Sequence, residues 1–223
     1  MKLIFEALIE ELVSDFKGIN LKDLKVAHGT TVIGMRYKDG VVVGGDMRMV
    51  MGYTIASESF PKVYPIDKET VIAISGTTGL AMELVEIFRD EVSYFERIHE
   101  RGLSFEGKAN ILAKILRKIF PLVSQGLIVI PILATRTRIL GFDILGVKVE
   151  KDLVASGSGS PYALGYLTEH FKKDLSQGEA VHLMREALKV AHKHDLATGE
   201  GRTIYVIENE VKKIEELPGG KND

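Results

Sequence analysis

The sequence predicts an α+β protein in which two antiparallel sheets stack face to face between two pairs of helices, a four-layer αββα sandwich. Three observations lead to this prediction. The predicted elements come in the order strands, two helices, strands, two helices, strands. Turn signals join neighbouring strands within each block into hairpins. Strands that come in blocks, rather than alternating singly with helices, favour antiparallel sheets.

The first block of strands begins near residue 31. The runs "TVIGMRY" and "VVVGGD" flank Lys38-Asp39-Gly40, and Asp-Gly between apolar runs is a strong hairpin signal. Two further candidates are "YTIAS" and "TVIAISG", the second of which ends at Gly76. Their β-branched residues suit a pleated, half-buried surface. We therefore expect this block to form short antiparallel strands.

The first pair of helices follows directly. Apolar residues recur at helical spacing between Leu80 and Ile98, and again between Phe105 and Phe120. Pro121 is expected to help end the second helix. Strands then return in the runs "GLIVIPILATR", "ILGFDILGV" and "DLVASG". The lengthening and shortening of the apolar period therefore mark where the chain changes from strand to helix and back.

Capping residues predict where the second pair of helices begins. Ser160-Pro161 predicts an N-cap followed by proline at the first helical position. Ser176 and Glu179 have the spacing of a capping box ahead of an apolar helical run. The chain closes with the strand candidates "TIYVIE" and "VKKIEEL" and a short polar tail, "PGGKND".

Composition and charge limit the function classes. A chain of 223 residues with 45% hydrophobic and 27% charged side chains suits one globular domain. Its 29 basic and 31 acidic side chains give a net charge of −2, which argues against nucleic-acid and membrane-surface partners. Without cysteine there can be no disulfide, thiolate zinc site or cysteine nucleophile. No apolar run reaches the roughly 18 residues of a membrane span. We expect a cytoplasmic protein that needs no cofactor or metal.

The N-terminal run "MKLIFEALIEELVSDF" differs from a signal peptide. Three glutamates interrupt it, and no uninterrupted apolar region or small-residue cleavage site follows. Its apolar residues recur at helical spacing and predict a short amphipathic helix. These residues are Leu8, Ile9, Leu12, Val13 and Phe16.

Several polar residues interrupt otherwise apolar runs. Asp46 ends "VVVGGD", Lys62 lies in "SFPKVYP", Ser158 lies in "GSGS", and Asp195 and Thr198 lie in "HDLATG". Taken singly, they are typical of turn residues, a solvated lysine and a tight turn or anion-binding nest. The "GSGS" run lacks the Gly-Lys-Ser/Thr of a P-loop, so it does not predict an ATP site.

Taken together, six landmarks resemble the proteasome β-subunits, which are N-terminal nucleophile hydrolases. The resemblance runs in register from Thr30 to about Leu217 and is greatest to the actinobacterial type. Thr198 stands where many members carry serine, and it keeps the hydroxyl. The landmarks are Gly29-Thr30-Thr31, Gly45-Asp46-Met47-Arg48, Lys62, Ser75-Gly76-Thr77, Gly157-Ser158-Gly159-Ser160 and Asp195-Leu196-Ala197-Thr198-Gly199.

The resemblance implies that the chain is a zymogen that cuts itself between Gly29 and Thr30. Residues 1–29 would then be an autocatalytically removed propeptide, and residues 30–223 a single catalytic domain with a short polar tail. Cleavage would give Thr30 a free α-amine with a pKa of about 7.7–8.0. An amine in that range can serve as a base near neutral pH, so one residue would carry both nucleophile and base.

The resemblance also assigns roles around Thr30. Lys62 would lower the pKa of the Thr30 hydroxyl or accept its proton, and Asp46 would pair with Lys62 and hold it. The backbone N–H of Gly76 would donate to the oxyanion of the tetrahedral intermediate.

A second hydrogen-bonded group, formed by Ser158, Asp195 and Thr198, would hold the α-amine of the processed chain. Beside Asp46, the sequence leaves two interpretations of Arg48 open: a further partner in the site, or a solvated charge.

By family position, five residues would line the pocket beside the nucleophile, and their apolar character predicts cleavage after apolar P1 residues. Core packing is the alternative interpretation, above all for Ile74. The five are Met49, Phe60, Ile74, Thr78 and Met82.

The implied working unit is a barrel that degrades unfolded polypeptides. A homo-heptameric β-ring would stack on a second β-ring between rings of α-type subunits, and an ATP-dependent unfoldase ring would feed it. Two alternatives stay open. One is a catalytically silent β-type ring scaffold, and the other is the related, simpler bacterial ATP-dependent threonine peptidase, against which the long leading segment and tail argue.

Overall fold

The computed structural model describes residues 7, 9–11, 13, 14 and 29–219. Within residues 29–219 the chain forms twelve strands, four α-helices and one short 3-10 helix, and residues 7, 9–11, 13 and 14 are also helical. The strands are β1 Val32–Tyr37, β2 Gly40–Asp46, β3 Met49–Met51, β4 Thr54–Ser57, β5 Val63–Pro65, β6 Val71–Gly76, β7 Val129–Ala134, β8 Ile139–Phe142, β9 Lys148–Glu150, β10 Leu153–Ser156, β11 Arg202–Ile207 and β12 Val211–Leu217. The helices are α1 Thr78–His99, α2 Phe105–Ile119, the 3-10 helix Phe120–Gln125, α3 Ser160–His170 and α4 Gln177–His194.

Two five-stranded antiparallel sheets form the centre of the fold. The first has the strand order β10-β1-β2-β11-β12 and the second the order β5-β6-β7-β8-β9, while β3 and β4 form a separate hairpin. The Asp-Gly turn joins β1 to β2 as predicted, with Tyr37 opposite Gly40. The α+β prediction of two antiparallel sheets with flanking helices is confirmed.

Three apolar layers separate four structural layers. Between the sheets, Val32 and Val43 of the first sheet pack with Val71 and Ile132 of the second. The adjacent residues in β1 and β2 point the opposite way, because successive side chains of a strand alternate between its faces. Both faces of each sheet are therefore buried, which explains apolar runs as continuous as "VVV" in β2.

Each outer face of the two sheets is covered by a helix pair. Helices α1 and α2 pack on the second sheet, and α3 and α4 pack on the first. Of the predicted N-terminal helix, Ile9 is buried in the apolar layer under α1 and α2, and Val13 packs against the same layer. Leu8, Leu12 and Phe16, which complete that prediction, lie outside the described residues.

The helix starts follow the sequence signals closely. Ser176 and Glu179 form the predicted capping box at the start of α4. Helix α3 has Gly159 as its N-cap, so Ser160 is its first residue and Pro161 its second. The predicted N-cap at Ser160 is therefore wrong by one position, a shift that leaves proline in the first turn, where a missing N–H costs no hydrogen bond.

Strand register gathers the segments that carry the predicted site residues at one end of the sandwich. In β1, Val32 pairs with Gly45 near the end of β2 and with Ser156 at the end of β10. Asp46 pairs with Arg202 at the start of β11. Antiparallel pairing therefore brings together the start of β1, the end of β2, the end of β10 and the loop that precedes β11.

Candidate active site

Thr30 lies buried at this end of the sandwich, with 4% of its surface exposed. Its hydroxyl donates a hydrogen bond to the carbonyl oxygen of Gly29, the residue directly before it. Gly29 is itself buried, and a Cβ there would lie 1.8 Å from the Cβ of Ala197. Only glycine therefore fits before Thr30 without moving the 195–199 loop.

A buried ion pair stands beside this peptide bond. Lys62 Nζ lies 2.7 Å from Asp46 Oδ1, and the same nitrogen lies 3.5 Å from the carbonyl oxygen of Gly29. Asp46 is fully buried and Lys62 is 6% exposed. A buried carboxylate and ammonium are held in the interior only when they are paired and hydrogen-bonded.

The buried position changes the acidity of the lysine. Burial lowers the pKa of the Lys62 ammonium from its ordinary value, and the negative charge and hydrogen bond of Asp46 oppose part of that drop. A lysine with a lowered pKa is better suited to exchange a proton near neutral pH than a solvated one.

Ser158, Asp195 and Thr198 form the second predicted group. The backbone N–H of Thr30 donates to Ser158 Oγ at 3.3 Å, and Ser158 Oγ donates to Asp195 Oδ2 at 2.6 Å. The Thr198 hydroxyl donates to the same carboxylate oxygen at 2.5 Å. The three side chains therefore form a connected chain that reaches the nitrogen of Thr30.

Thr31 links the two groups, a connection that the sequence interpretation missed. Its backbone N–H donates to Asp46 Oδ1 at 2.8 Å, and its hydroxyl lies 2.7 Å from that of Thr198. Thr31 has no exposed surface. The doubled threonine of "GTT" was the available signal, because a buried hydroxyl needs a partner.

Glycines allow the backbone of 157–159 to approach the threonines closely. Gly157 has a φ of +100°, and a Cβ there would lie 2.1 Å from the carbonyl oxygen of Thr30. A Cβ on Gly159 would lie 2.1 Å from the hydroxyl oxygen of Thr31. The "GSGS" run therefore serves to bring Ser158 against Thr30, and neither of its glycines has space for a side chain.

A cavity of about 450 Å³ opens beside Thr30. Its wall contains Gly76, whose φ is +118° and where a Cβ would lie 2.0 Å from the carbonyl oxygen of Ile128. The hydroxyls of Ser75 and Ser156 also line it and lie 2.7 Å from each other. The cavity gives a ligand access to Thr30, which is otherwise enclosed.

Comparison with known proteins agrees with this geometry. A family model described as "Proteasome subunit" matches residues 26–207. The chain belongs to the proteasome subunit family. The resemblance to that family predicted from the sequence is thereby confirmed.

Curated relatives named as β-subunits share more than a third of their aligned residues with this proteasome-family chain. "Proteasome subunit beta" of Streptomyces griseus is 37% identical over 183 residues, which is 79% of this chain and 65% of the relative. "Proteasome subunit beta 1" of Streptomyces avermitilis is 39% identical over 192 residues, 82% of this chain and 68% of the relative. "Proteasome subunit beta" of Acidothermus cellulolyticus is 38% identical over 186 residues, 78% and 64% respectively. The aligned part of the chain thus spans about two thirds of the length of these relatives.

The five residues predicted to line a substrate pocket lie outside the walls of the cavity beside Thr30. Met49 and Phe60 are half-buried, Thr78 begins α1, and Met82 is exposed. Ile74 is buried in the core under α1 and α2, in keeping with the alternative interpretation of that residue. A role in a substrate pocket stays a prediction for this family member.

The described part of this proteasome-family chain carries no helix long and apolar enough to cross a membrane. In the same residues, no cluster of three or more His, Asp or Glu side chains is arranged to hold a metal ion.

Proposed function

We propose that this chain is the catalytic β-subunit of a 20S-type proteasome, a threonine-type endopeptidase that activates itself by cleavage between Gly29 and Thr30. The single observation that carries the proposal is the hydrogen bond from the Thr30 hydroxyl to the Gly29 carbonyl oxygen. That bond holds the nucleophile beside the carbonyl group it would attack, and the buried Lys62–Asp46 pair is within reach of the same oxygen.

Processing needs only groups already at the site and water. The Thr30 hydroxyl oxygen attacks the Gly29 carbonyl carbon while a water takes its proton, because the α-amine does not yet exist. The carbon–nitrogen bond breaks, the nitrogen takes up a proton, and Gly29 becomes joined to the Thr30 oxygen as an ester. A second water hydrolyses the ester, which releases the Gly29 carboxylate and restores the hydroxyl.

Turnover of substrate repeats the attack on a new carbonyl group. The liberated α-amine of Thr30 accepts the hydroxyl proton and passes it to the leaving amine of the substrate. The substrate acyl group is then an ester on the Thr30 oxygen, and water hydrolyses it to a carboxylate and restores the hydroxyl. The Ser158–Asp195–Thr198 group would hold that amine, since it already accepts the N–H of Thr30. The Gly76 N–H would stabilise the oxyanion, and removing one such donor typically costs about 100- to 1000-fold in rate.

The same family membership supports the proposed assembly. We place the chain in a homo-heptameric β-ring that stacks on a second β-ring in the cytoplasm, between rings of α-type subunits. An ATP-dependent unfoldase would deliver unfolded polypeptides, because the sequence carries no ATP-binding motif of its own. Cleavage after apolar P1 residues is expected from Met49, Phe60 and Met82.

Intact mass spectrometry after co-expression with an α-type subunit tests the proposal. Wild-type chain should lose residues 1–29 and then gain the mass of an epoxyketone or β-lactone probe on Thr30. Thr30→Ala should keep the full chain and form no adduct. Thr168→Ala is the matched control, because that exposed hydroxyl bonds only within its own helix, and it should behave as wild type.

The outcomes separate the competing functions. A wild-type chain that assembles but neither loses residues 1–29 nor forms an adduct would indicate a catalytically silent scaffold. Fluorogenic peptides test specificity in the processed barrel. Faster hydrolysis after arginine or glutamate than after an apolar residue would contradict the expected P1 preference.

A further inference from the structure

The two halves of the candidate site come from distant parts of the chain. Thr30, Asp46 and Lys62 lie on or next to the strands, whereas Asp195 lies in the 195–199 loop after α4. Strand pairing fixes the first half. The loop lacks that support, and the side chain of Leu196 at its corner is 92% exposed. Its position therefore depends on hydrogen bonds as well as on the packing of its buried residues Thr198 and Gly199.

The side chain of Arg48 supplies one of those bonds. Its Nη1 donates to the carbonyl oxygen of Leu196 at 2.8 Å, while its backbone N–H donates to Asp46 Oδ2 at 2.9 Å. One residue thus connects the carboxylate beside Lys62 with the loop that carries Asp195. The side chain of Arg48 is only 14% exposed, which excludes the solvated-charge interpretation.

Glu58 fixes the guanidinium in this position. Arg48 Nε and Nη2 lie 3.0 Å and 2.9 Å from Glu58 Oε1. The backbone carbonyl of Glu58 accepts from the N–H of Gly219, after the last strand, at 2.9 Å. Because two nitrogens of the planar guanidinium are bound to Glu58, the group has little rotational freedom, and its third nitrogen is directed at Leu196.

The loop closes tightly over this pair. A Cβ on Gly199 would lie 2.6 Å from the Cβ of Arg48 and 2.9 Å from Glu58 Oε2. The N–H of Gly199 donates to Asp46 Oδ2 at 2.9 Å. Arg48, Glu58 and Gly199 are therefore packed as a unit that includes the carboxylate of Asp46.

We propose that Arg48 and Glu58 are a positioning pair that holds the 195–199 loop against Asp46 and so keeps Asp195 in reach of Ser158 and the nitrogen of Thr30. This inference rests on the proposed function, because it concerns the amine that processing creates. Arg48 touches neither Thr30 nor the cavity beside it. Loss of its side chain should therefore slow turnover without weakening substrate binding.

Peptide hydrolysis by barrels co-assembled with an α-type subunit tests the pair. In Arg48→Met we expect kcat to fall about tenfold or more, the size expected for losing a hydrogen bond from a charged group, with KM within about twofold of wild type. Intact mass should show that self-cleavage still goes to completion in this variant. The Thr30 nitrogen is an amide in the precursor, so it does not act as a base in that step.

The partner residue provides a second, independent variant. Glu58→Gln should lower kcat in the same direction but less, because the shape is kept and only the charge is lost. The double variant should be no slower than Arg48→Met alone, since residues that act as a unit are not additive. Arg136→Met is the matched control, because that arginine bonds Asp39 and Asn209 at the opposite end of the sheet. It should leave kcat unchanged.

The results distinguish failure of this inference from failure of the proposed function. Wild-type barrels without hydrolysis or adduct would overturn the proposed function. Active wild-type barrels together with full kcat in Arg48→Met, or in Glu58→Gln if the first variant does not assemble, would overturn only the positioning role. The melting temperatures of the variants are measured beside kcat. If Arg136→Met lost as much kcat and as much melting temperature as Arg48→Met, the effect would be general destabilisation, and the inference would be contradicted.

Discussion

Replacing Asp46 with asparagine is the sharpest test of the buried ion pair. The carboxylate accepts four hydrogen bonds: Oδ1 from the Thr31 N–H and Lys62 Nζ, and Oδ2 from the N–H groups of Arg48 and Gly199. Asparagine has nearly the same shape but offers one acceptor oxygen and one NH₂ group. Either orientation therefore turns a donor toward two other donors.

The structure indicates a large loss of stability. Asp46→Asn would leave Lys62, with 6% of its surface exposed, without its counter-charge. Breaking a buried pair from one side costs about 3–5 kcal/mol, a large share of the roughly 5–15 kcal/mol that stabilises a domain. We expect the free energy of unfolding to fall by that amount near neutral pH.

The loss should depend on pH in a defined direction. Burial lowers the pKa of Lys62 in the folded state, and removing the opposing charge of Asp46 lowers it further. Between the folded-state pKa of Lys62 and its unfolded value of about 10.4, the unfolded chain binds more protons than the folded chain, so the free energy of unfolding rises with pH. This rise begins at a lower pH in Asp46→Asn than in the wild type, because the folded-state pKa is lower in the variant. The penalty of Asp46→Asn should therefore be largest near pH 7 and shrink toward about pH 10.

Urea unfolding of full-length chains measures this penalty. The Asp46→Asn chain and the reference chain with Asp46 both carry Thr30→Ala, so that neither is processed. Each is unfolded near pH 7 and near pH 9.5. Asp152→Asn is the control, because Asp152 pairs with exposed Arg36 and Lys173, and surface pairs contribute about 0–1 kcal/mol. An Asp46→Asn penalty as small as that of the control, or one that grows with pH, would refute the reasoning.

Four further substitutions test the close contacts, the packing and a helix cap. At Gly157 the φ is +100° and a Cβ would lie 2.1 Å from the Thr30 carbonyl oxygen. We therefore expect Gly157→Ala to abolish self-cleavage, as measured by intact mass. Unimpaired cleavage in Gly157→Ala would contradict the assigned contact. At Gly165 an added Cβ would have nothing within 4 Å, so Gly165→Ala should instead raise helix stability by about 0.5–1 kcal/mol. Leu112 lies on α2 and is fully buried, so Leu112→Ala should cost about 2–5 kcal/mol in urea unfolding. A loss below about 1 kcal/mol would argue against its core position. Ser176→Ala should cost about 1 kcal/mol in thermal unfolding through its capping box; an unchanged melting temperature would show that the cap adds nothing.

The sequence by itself determined the elements and most of the candidate site. The change of apolar period located the helices, and the Asp-Gly turn and the capping box marked element ends, because these signals act within a few residues of each other. Six landmarks in register singled out Thr30, Asp46, Lys62 and Asp195, and the fold brings these residues to one end of the sandwich.

Only the tertiary structure decided how these residues are connected and which apolar residues are core. Thr31 contacts Thr198 across 167 positions and Arg48 contacts Leu196 across 148, so the neighbouring sequence does not identify the partner of either residue. Ile74 is likewise buried because its face of β6 meets α1 and α2. Such contacts depend on strand register and on the direction in which each loop leaves its helix, and both are fixed by packing between segments far apart in the chain.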